Sequence, residues 1–499
     1  MPIDDLVREA DIPQLIPQKG ISRLMLIIWW SRDDLRRAFD LTTPDGQSGF
    51  IEWYEKRALA EYDLPPITPV PGQVPVQPDA TFHRLKARLT GRKAVQWLPA
   101  SIRRKLLRLA ARIFASTTED LALKAESQFE QATPGANLIG YAHGVLGMGE
   151  HVRMTARALG TTDIKAGVVN FSVGVMNREQ SQPDDLTLIT TNHFKANIFH
   201  VNADQMLVAY GNLGPDFFRG RYNIGYWAWE LERCPDNWIP VIDMVDEIWA
   251  PSRFIQDCFT KVTQKPVTFM PLCVELPAFV RRSRAHFRLP EKDFLFLFMF
   301  DFMSYIDRKN PAAAIHAFLT AFPDRTDRAG LVIKVMNVDP AHPRWMELVE
   351  LMRLDPRIHL INDVMSRPDV LALVDSCDSF LSLHRSEGFG RGPAEAMYLG
   401  KPVIVTNYSG NTDFTTSENS LLVDYDLIHI LPGQYAFPDN QRWANPHVEH
   451  AAAHMRRLFD FPDFACTLGL KGQSYIKEHF SAEATGRIMR NRLSHLNLG

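Results

Sequence analysis

The sequence predicts an α/β protein in which two doubly wound domains follow a helical extension. Short apolar segments that suit buried parallel strands alternate with helical segments from residue 136 to about residue 480. Glycine-rich turns connect a strand to a helix at residues 144–150 and 386–392, and ligands bind at such strand ends in open α/β sheets. A chain of 499 residues, 45% hydrophobic and 23% charged, is long enough for two or three domains with large cores.

The N-terminal extension divides into three predicted parts. Residues 1–62 are expected to be a helical accessory segment, and the prolines crowded into residues 63–81 predict a linker. Residues 82–135 are predicted to be basic and helical, and Ser101–Ala115 has one apolar and one basic face. Such a helix can lie on an anionic membrane surface. The alternative is that its apolar face packs on the neighbouring domain and its basic face is solvated.

Residues 136–280 are predicted to form the first α/β domain. Its first strand runs into a glycine-rich turn, Gly144–Glu150, and then a helix, an arrangement that can cradle a phosphate. The alternative is that this turn is only structural. The strands are expected at Asn137–Ala142, Ala166–Asn170, Asn197–Asn202, Tyr222–Trp227, Glu247–Ala250 and Val267–Pro271, and the helices at 149–159, 203–210, 236–245 and 252–262.

Residues 281–480 are predicted to form the second α/β domain. Asn310 suits the N-cap and Pro311 the first turn of a helix that runs to about Phe322. Arg308 and Lys309 are therefore expected on an exposed loop ahead of that helix. One cation ~4 Å from a phosphate charge contributes about 4 kcal/mol at an effective dielectric of roughly 20. The alternative is two solvated charges. The strands are expected at Phe294–Phe300, Leu331–Val335, Ile358–Asn362, Phe380–Leu383 and Val403–Thr406.

Two glutamates follow the fourth strand of this second domain. Glu387 lies on the loop, and Glu395 lies in the first turn of a helix predicted at Pro393–Leu399. Glycines at positions 388, 390 and 392 let backbone N–H groups approach a ligand closely, and the helix N-terminus favours an anion such as a diphosphate. Carboxylates accept hydrogen bonds from sugar hydroxyls, so this pair suits a donor hexose and a ribose. The alternative is that Glu387 caps the helix and Glu395 is solvated.

The composition excludes several classes of protein and site. A net charge of −3 gives no overall field for nucleic acid. The five cysteines form no C-x-x-C pair, so we expect them to be reduced and mostly buried in a cytoplasmic protein. The acidic N-terminus has no signal-peptide pattern, and the longest apolar runs are too short to span a bilayer. No Asp-x-Asp pair stands at a strand end, so no metal site is predicted.

The pattern Ser-Glu-Gly-Phe-Gly…Glu-Ala-Met…Gly-Lys-Pro-Val-Ile, with seven residues between Glu387 and Glu395, resembles the E-x7-E motif of retaining glycosyltransferases of family 4. The resemblance covers roughly residues 136–495 and indicates the bacterial surface-glycan type. It implies the GT-B fold, in which two Rossmann-like domains face a cleft and bind the acceptor (136–280) and the nucleotide-sugar donor (281–480). It also implies that the terminal helix, residues 481–499, crosses back to the first domain. Tyr408–Asp413 departs from the Gly-Gly…Glu pattern of many relatives.

The resemblance also implies roles for individual residues. Arg308 and Lys309 would neutralise the departing diphosphate, Glu387 would hold the donor sugar, and transfer would proceed by front-face attack without a metal or cofactor. Glu395 would hold the ribose. The expected donor-binding residues are Gly147, Gly149, Ser304, Asp363, Gly388, Phe389, Gly390 and Glu395. Aromatic and polar residues at strand ends of the first domain suit an acceptor sugar, and those expected to bind it are His143, His200, Asn202, Trp229 and Glu230. For the two histidines, a structural role is the alternative.

These features predict a retaining, metal-independent hexosyltransferase. It would move a hexose or deoxyhexose from a nucleotide diphosphate sugar to a hydroxyl of a glycan or lipid-linked acceptor in polysaccharide biosynthesis. It would act in the cytoplasm or at the inner-membrane surface. Two alternatives share the fold: a nucleotide-sugar epimerase, which needs no acceptor, and a glycan phosphorylase, which needs inorganic phosphate. The alternative from another class is a non-catalytic glycan-binding scaffold.

Overall fold

The computed structural model describes residues 128–144, 146–171 and 186–499, together with residues 29, 35, 38–41 and 43–54 near the N-terminus. The strands of this part form two parallel six-stranded sheets and one antiparallel hairpin. The predicted α/β class with two doubly wound domains is confirmed. The linker at 63–81 and the basic helix at Ser101–Ala115 lie outside the described residues, so their structures stay predictions.

The described part of the N-terminal segment packs on the first domain. It contains helix α1 (Pro44–Trp53), and the Thr43 side chain accepts a hydrogen bond from the Gly46 N–H at its start. Phe50 and Tyr54 are buried in the same apolar cluster as strand residues of the first domain. The described residues of this segment are therefore attached to that domain through its core.

The first domain has a sheet with the strand order β2-β1-β3-β4-β5-β6. Successive residues of β1 point to opposite faces of the sheet, so Leu138 lies in one apolar core and Ile139 in the other. Both faces of the sheet are therefore covered by apolar side chains. The strands are β1 (Thr133–Gly140), β2 (Ala166–Asn170), β3 (Phe194–His200), β4 (Tyr222–Tyr226), β5 (Glu247–Ala250) and β6 (Val267–Phe269). The helices are α2 (Gly147–Gly160), α3 (Met206–Leu213), α4 (Pro215–Phe218) and α5 (Arg253–Thr260), with 3₁₀ turns at Ala203–Gln205 and Asp236–Met244.

The second domain also has a six-stranded parallel sheet, but its strand order, β12-β11-β10-β7-β8-β9, differs from that of the first domain. Its strands are β7 (Phe294–Asp301), β8 (Ala329–Met336), β9 (Ile358–Ile361), β10 (Ser379–Ser382), β11 (Val403–Thr406) and β12 (Leu421–Val423). Its helices are α6 (Ile306–Lys309), α7 (Pro311–Ala321), α8 (Pro343–Met352), α9 (Arg367–Ser376) and α10 (Arg391–Tyr398). Three 3₁₀ turns occur at Arg284–Phe287, Phe302–Ser304 and Ser409–Asp413.

A hairpin and three helices complete the chain. The hairpin pairs β13 (Tyr425–His429) with β14 (Arg442–Pro446), and the helices are α11 (Val448–Asp460), α12 (Pro462–His479) and α13 (Ala482–His495). Helix α13 packs on α2 of the first domain, where a Cβ on Gly486 would meet the Ala158 carbonyl at 2.1 Å. Arg492 on α13 also donates two hydrogen bonds, of 2.9 and 2.8 Å, to the buried carboxylate of Glu247 on β5.

All eleven predicted strands are present, but several local details differ from the predictions. Helix α10 begins at Arg391, two residues before Pro393, because Gly390 takes a left-handed conformation and acts as its N-cap. Asn310 precedes α7 as predicted, but its side-chain amide does not cap the helix. It donates to the Leu383 carbonyl at 3.0 Å instead. The hairpin, β12, α8 and α9 were not predicted.

No helix in the described part of the chain is long and apolar enough to cross a membrane. All five cysteines are free thiols, of which Cys466 is exposed and the other four are buried. The four buried thiols are Cys234, Cys258, Cys273 and Cys377.

Candidate functional site

The two domains meet where the loop after β10 touches the loop after β4. The Ser386 hydroxyl donates to the Glu230 carbonyl, and a Cβ on Gly388 would lie only 2.8 Å from the Trp229 carbonyl oxygen. A side chain at position 388 would therefore push the two loops apart. Gly390 has a φ of 97°, which a residue with a side chain rarely adopts. The segment predicted to bind the donor thus lies at the junction between the domains.

Glu387 lies between the two predicted cations of this segment. One carboxylate oxygen is 2.5 Å from Lys309 Nζ and the other is 3.1 Å from Arg308 Nη1. Arg308 is only 5% exposed and Lys309 is partly buried on the same short helix, so the expectation of an exposed loop was wrong for both residues. The reason is that residues 306–309 form the short helix α6, which turns the guanidinium inward, where it also donates to the Ser386 carbonyl at 3.0 Å.

These contacts control the protonation of the glutamate. Burial alone would raise the pKa of Glu387, but the charges of Lys309 and Arg308 outweigh it and lower the pKa to about 2. Burial and the neighbouring charge of Arg308 lower the pKa of Lys309, although Glu387 opposes this. The alternative role of Glu387 as a helix cap is wrong, because no side chain caps α10.

Tyr435, a residue that the sequence analysis did not identify, extends this cluster towards the first domain. Its hydroxyl donates a 2.5 Å hydrogen bond to the Glu230 carboxylate, and its ring lies 5.9 Å from the Arg308 guanidinium. Arg308 Nη2 is itself 4.0 Å from Glu230. Tyr435 lies between the strands of the hairpin, and no local pattern marks its position, because its partners are distant in sequence.

The second glutamate of the motif lies in another ion-pair cluster. Glu395 is 3% exposed, so the alternative of a solvated side chain is wrong. Its two carboxylate oxygens accept hydrogen bonds of 2.8 and 2.5 Å from Arg367, the first residue of α9. Arg391 Nη1 lies 3.7 Å from the same carboxylate. The pairing with Arg367 was not predicted, because helix α9 was not.

The glycine-rich turn of the first domain supplies the opposite side of the junction. Gly149 is buried, and a Cβ there would lie 2.2 Å from the Gly144 carbonyl oxygen, so this glycine is required by the turn itself. Gly147 is exposed with no atom within 4 Å of a Cβ position, which leaves room for a ligand. Arg153 donates to the Ala142 and Gly144 carbonyls and pairs with Glu150 at 2.8 Å.

The residues predicted to bind the acceptor differ in their exposure. His200 is fully buried beside His151 and Tyr226, and Trp229 is buried with its indole N–H donating to the Arg233 carbonyl. Neither offers a free face to a sugar in this structure, because each is packed among other rings. Glu230 is partly exposed at the cluster of Arg308 and Tyr435. Two other predicted residues, His143 and Asn202, are partly exposed at the ends of β1 and β3.

Three predicted donor residues remain. Ser304 ends a 3₁₀ turn, and its carbonyl accepts from Arg308 Nε at 3.2 Å. Asp363 follows β9 at the wall of a cavity of about 470 Å³, and its carbonyl accepts from Lys334 at 2.9 Å. Phe389 is buried against Phe414, so its backbone is the part that can face a ligand.

The junction therefore gathers cations, carboxylates and backbone donors from both domains. Paired cations beside a carboxylate can bind a phosphate and a hydroxyl-bearing group side by side. Among the described residues, no group of three or more His, Cys, Asp or Glu side chains is arranged to hold a metal ion. The chemistry that this arrangement suits is the binding of a phosphorylated sugar.

Residues 283–426 match the family model described as "Glycosyl transferases group 1", and the match includes both glutamates and both cations. This segment is similar to that family, and the match covers less than half of the chain. A curated relative is alpha-1,3/1,6-mannosyltransferase ALG2 of Homo sapiens, which is 29% identical over 114 residues, or 23% of this chain and 23% of that protein. The same enzyme of Mus musculus is 25% identical over 138 residues, or 28% of each chain. The matches thus span about a quarter of the length of these relatives.

Solved structures extend the likeness to both domains. Sucrose-phosphate synthase from Thermosynechococcus elongatus has a TM-score of 0.54 and 17% identity, covering 73% of this chain and 99% of that chain. Anabaena Alr3699/HepE, solved with UDP and glucose, has a TM-score of 0.53 and 13% identity, covering 72% of this chain and 100% of that chain. At such identities the likeness concerns the fold. The fold is GT-B, as the resemblance implied.

Proposed function

We propose that this protein is a retaining, metal-independent glycosyltransferase. It moves a hexose or deoxyhexose from a nucleoside diphosphate sugar to a hydroxyl group of a glycan or a lipid-linked acceptor in polysaccharide biosynthesis. The sugar transfer takes place in the cytoplasm or at the inner-membrane surface. The observation that carries this proposal is the position of Glu387 between Arg308 and Lys309, at the junction of two GT-B domains.

The proposed chemistry follows from the charges of that cluster. Arg308 and Lys309 bind the diphosphate and stabilise the negative charge that develops as it leaves, which is the type of stabilisation that contributes most to many enzymes. Glu387 is ionised because its pKa is low, so it can accept hydrogen bonds from sugar hydroxyls. Glu395 accepts hydrogen bonds from the ribose, held in place by Arg367. The acceptor hydroxyl attacks from the same face as the departing diphosphate.

The comparisons support the donor class. The segment that matches glycosyl transferases group 1 contains the two cations and the two glutamates of the proposed mechanism. HepE, which shares the fold, was solved in complex with UDP-glucose. Sequence similarity to two mannosyltransferases supports transfer to a sugar hydroxyl. Titration with different nucleoside diphosphate sugars would identify the transferred sugar.

The proposal is tested by titrating the purified protein with UDP, GDP, ADP and dTDP and with sugars of whichever nucleotide binds. A ligand at a hundredfold excess over its Kd raises the free energy of unfolding by roughly 2.7 kcal/mol, which a thermal shift detects. Binding of one nucleoside diphosphate, followed by sugar transfer that persists in excess chelator, is the expected result. A scaffold would bind none of them. An epimerase would convert the donor without an acceptor, and a phosphorylase would require inorganic phosphate.

A further inference from the structure

Arg391, the first residue of α10, has hydrogen-bond donors without acceptors. Both terminal nitrogens of its guanidinium are buried and lack a hydrogen-bond partner, and so does Nε of Arg367. The nearest carboxylate oxygen to Arg391, on Glu395, is 3.7 Å away, beyond hydrogen-bonding distance. Buried donors are almost always hydrogen-bonded in folded proteins, so unpaired ones need an explanation such as an absent ligand.

The charges around Arg391 favour a negative ligand. Two glutamates meet three arginines here, since Arg153 pairs with Glu150 while Arg367 and Arg391 lie beside Glu395. The cluster therefore carries one positive charge in excess.

The cluster around Glu387 has no such excess. There Arg308 and Lys309 are matched by Glu387 and Glu230. Of these two clusters, as far as the structure describes them, the one around Arg391 is the one with a cation in excess. A ligand with several negative charges needs more positive charge than the balanced cluster offers.

The first domain contributes further unpaired groups on the other side of the junction. His200 has two buried ring nitrogens without partners, and His151, whose ring centre is 4.7 Å away, has one. Burial lowers the pKa of both rings, and the charge of Arg391 lowers that of His151 further, so both are neutral at pH 7. A neutral imidazole carries one N–H donor, so each of these rings has a buried donor and adds no charge.

We propose that Arg391 and the Nε group of Arg367 form a phosphate subsite at the domain junction, separate from the pair of Arg308 and Lys309. The ligand is a phosphoryl group, which presents several acceptor oxygens to a guanidinium fork. The proposal rests on the proposed function, because it assigns part of the same junction. Two sources supply such a group: the diphosphate of the donor, and a phosphate carried by the acceptor.

The test compares Arg391→Gln and Arg391→Lys with a control, Arg353→Gln. Arg353 lies just after α8 in the same domain with a side chain that is 68% exposed, so its loss should change nothing. The first ligands are UDP, GDP and ADP, together with the matching nucleosides. Inorganic phosphate is then added to protein that is already saturated with the nucleoside diphosphate that binds. The Tm of each variant without ligand shows whether it is folded. Arg391→Lys keeps the positive charge at this position, whereas Arg391→Gln removes it.

If the donor supplies the phosphate, Arg391→Gln should weaken the nucleoside diphosphate at least tenfold and leave the nucleoside unchanged. If the acceptor supplies it, diphosphate binding should stay unchanged, and phosphate binding to the saturated wild type should be lost in the variant. Equal binding of both ligands to wild type and variant would overturn the proposal. So would an equal loss for nucleoside and diphosphate, because Arg391 would then act only through Glu395.

These outcomes are distinct from a failure of the proposed function. In that case the wild type itself would bind no nucleoside diphosphate. Inorganic phosphate that still bound to the free wild type, and not to Arg391→Gln, would support the subsite while the glycosyltransferase proposal failed.

Discussion

Tyr435 and Glu230, 205 residues apart in the chain, share a 2.5 Å hydrogen bond between the hairpin and the loop after β4. The same tyrosine ring lies beside Arg308, which pairs with Glu387. A residue of the hairpin thus links the acceptor side of the junction to the proposed leaving-group site. Gln441, also from the hairpin, accepts from the Arg233 backbone N–H and donates to its carbonyl, which holds the two domains together.

The Tyr435 hydroxyl is expected to matter for transfer more than for folding. Tyr435→Phe keeps the ring and removes one hydrogen bond to a charged group, which contributes roughly 1.5–3 kcal/mol. We expect kcat/KM to fall about tenfold or more, with a small change in Tm. Steady-state kinetics and thermal unfolding measure both. The matched control is Tyr425→Phe in the same hairpin, and an unchanged kcat/KM in Tyr435→Phe would remove the tyrosine from the mechanism.

Lys309 should be required for turnover. Lys309→Gln removes a charge aimed at the departing diphosphate, and loss of comparable electrostatic groups lowers kcat by about two orders of magnitude or more. The lysine is a cleaner target than Arg308, whose burial makes its replacement a threat to folding. Lys471→Gln, at an exposed position on α12, is the control. Wild-type turnover in Lys309→Gln would contradict the assigned role.

Glu387 should make stability depend on pH in the acid range. Its folded pKa, about 2, lies below its ordinary value of 4.5. The ionised carboxylate therefore stabilises the fold above pH 4.5, and this contribution, about 3 kcal/mol, is lost as the pH falls towards 2. We expect Glu387→Gln to be less stable than wild type at pH 6, with a difference that shrinks below pH 4.5. Denaturant unfolding from pH 6 to pH 2.5 measures it, and a constant difference would refute the ion-pair explanation.

The two glutamates should separate two parts of the donor. Glu395→Gln should weaken the bare nucleoside diphosphate and the full donor alike, by about 1.5–3 kcal/mol, because both contain the ribose. Glu387→Gln should weaken only the full donor and reduce transfer most. Calorimetric titration of both ligands gives the four affinities. Equal losses for both ligands in both variants would mean that the loop has collapsed.

Arg492 should stabilise the return of α13 to the first domain. Glu247 is fully buried and accepts from Arg492, Tyr222, Trp249 and Thr268, so Arg492→Met leaves a buried carboxylate without its only cation among the described residues. We expect a loss of about 3–5 kcal/mol. Adding Glu247→Gln should recover part of this loss, because the unpaired charge is then gone. Denaturant unfolding tests it, and no recovery in the double variant would show that packing rather than charge is lost.

The architecture and the motif could be predicted from the order of the residues. Strand segments of four to eight apolar residues, and glycines such as Gly390 at strand-to-helix turns, carry their signal locally, so all eleven predicted strands occur. The same local signal placed Glu387 on a loop and Glu395 at the start of a helix. Arg308 was located correctly next to a helix start, but its burial was missed because the four-residue helix α6 has no periodicity to detect.

The pairing of the charged side chains depends on how the folded elements pack together. Glu395 pairs with Arg367, 28 residues away, and Glu230 meets Tyr435 across the domain junction. Local periodicity contains no information on such pairs, because they form when separate strands and helices pack. The buried surroundings of Arg391 and His200 could not be predicted for the same reason. Their buried, unpaired nitrogens appear only when the carboxyl ends of two sheets are brought face to face.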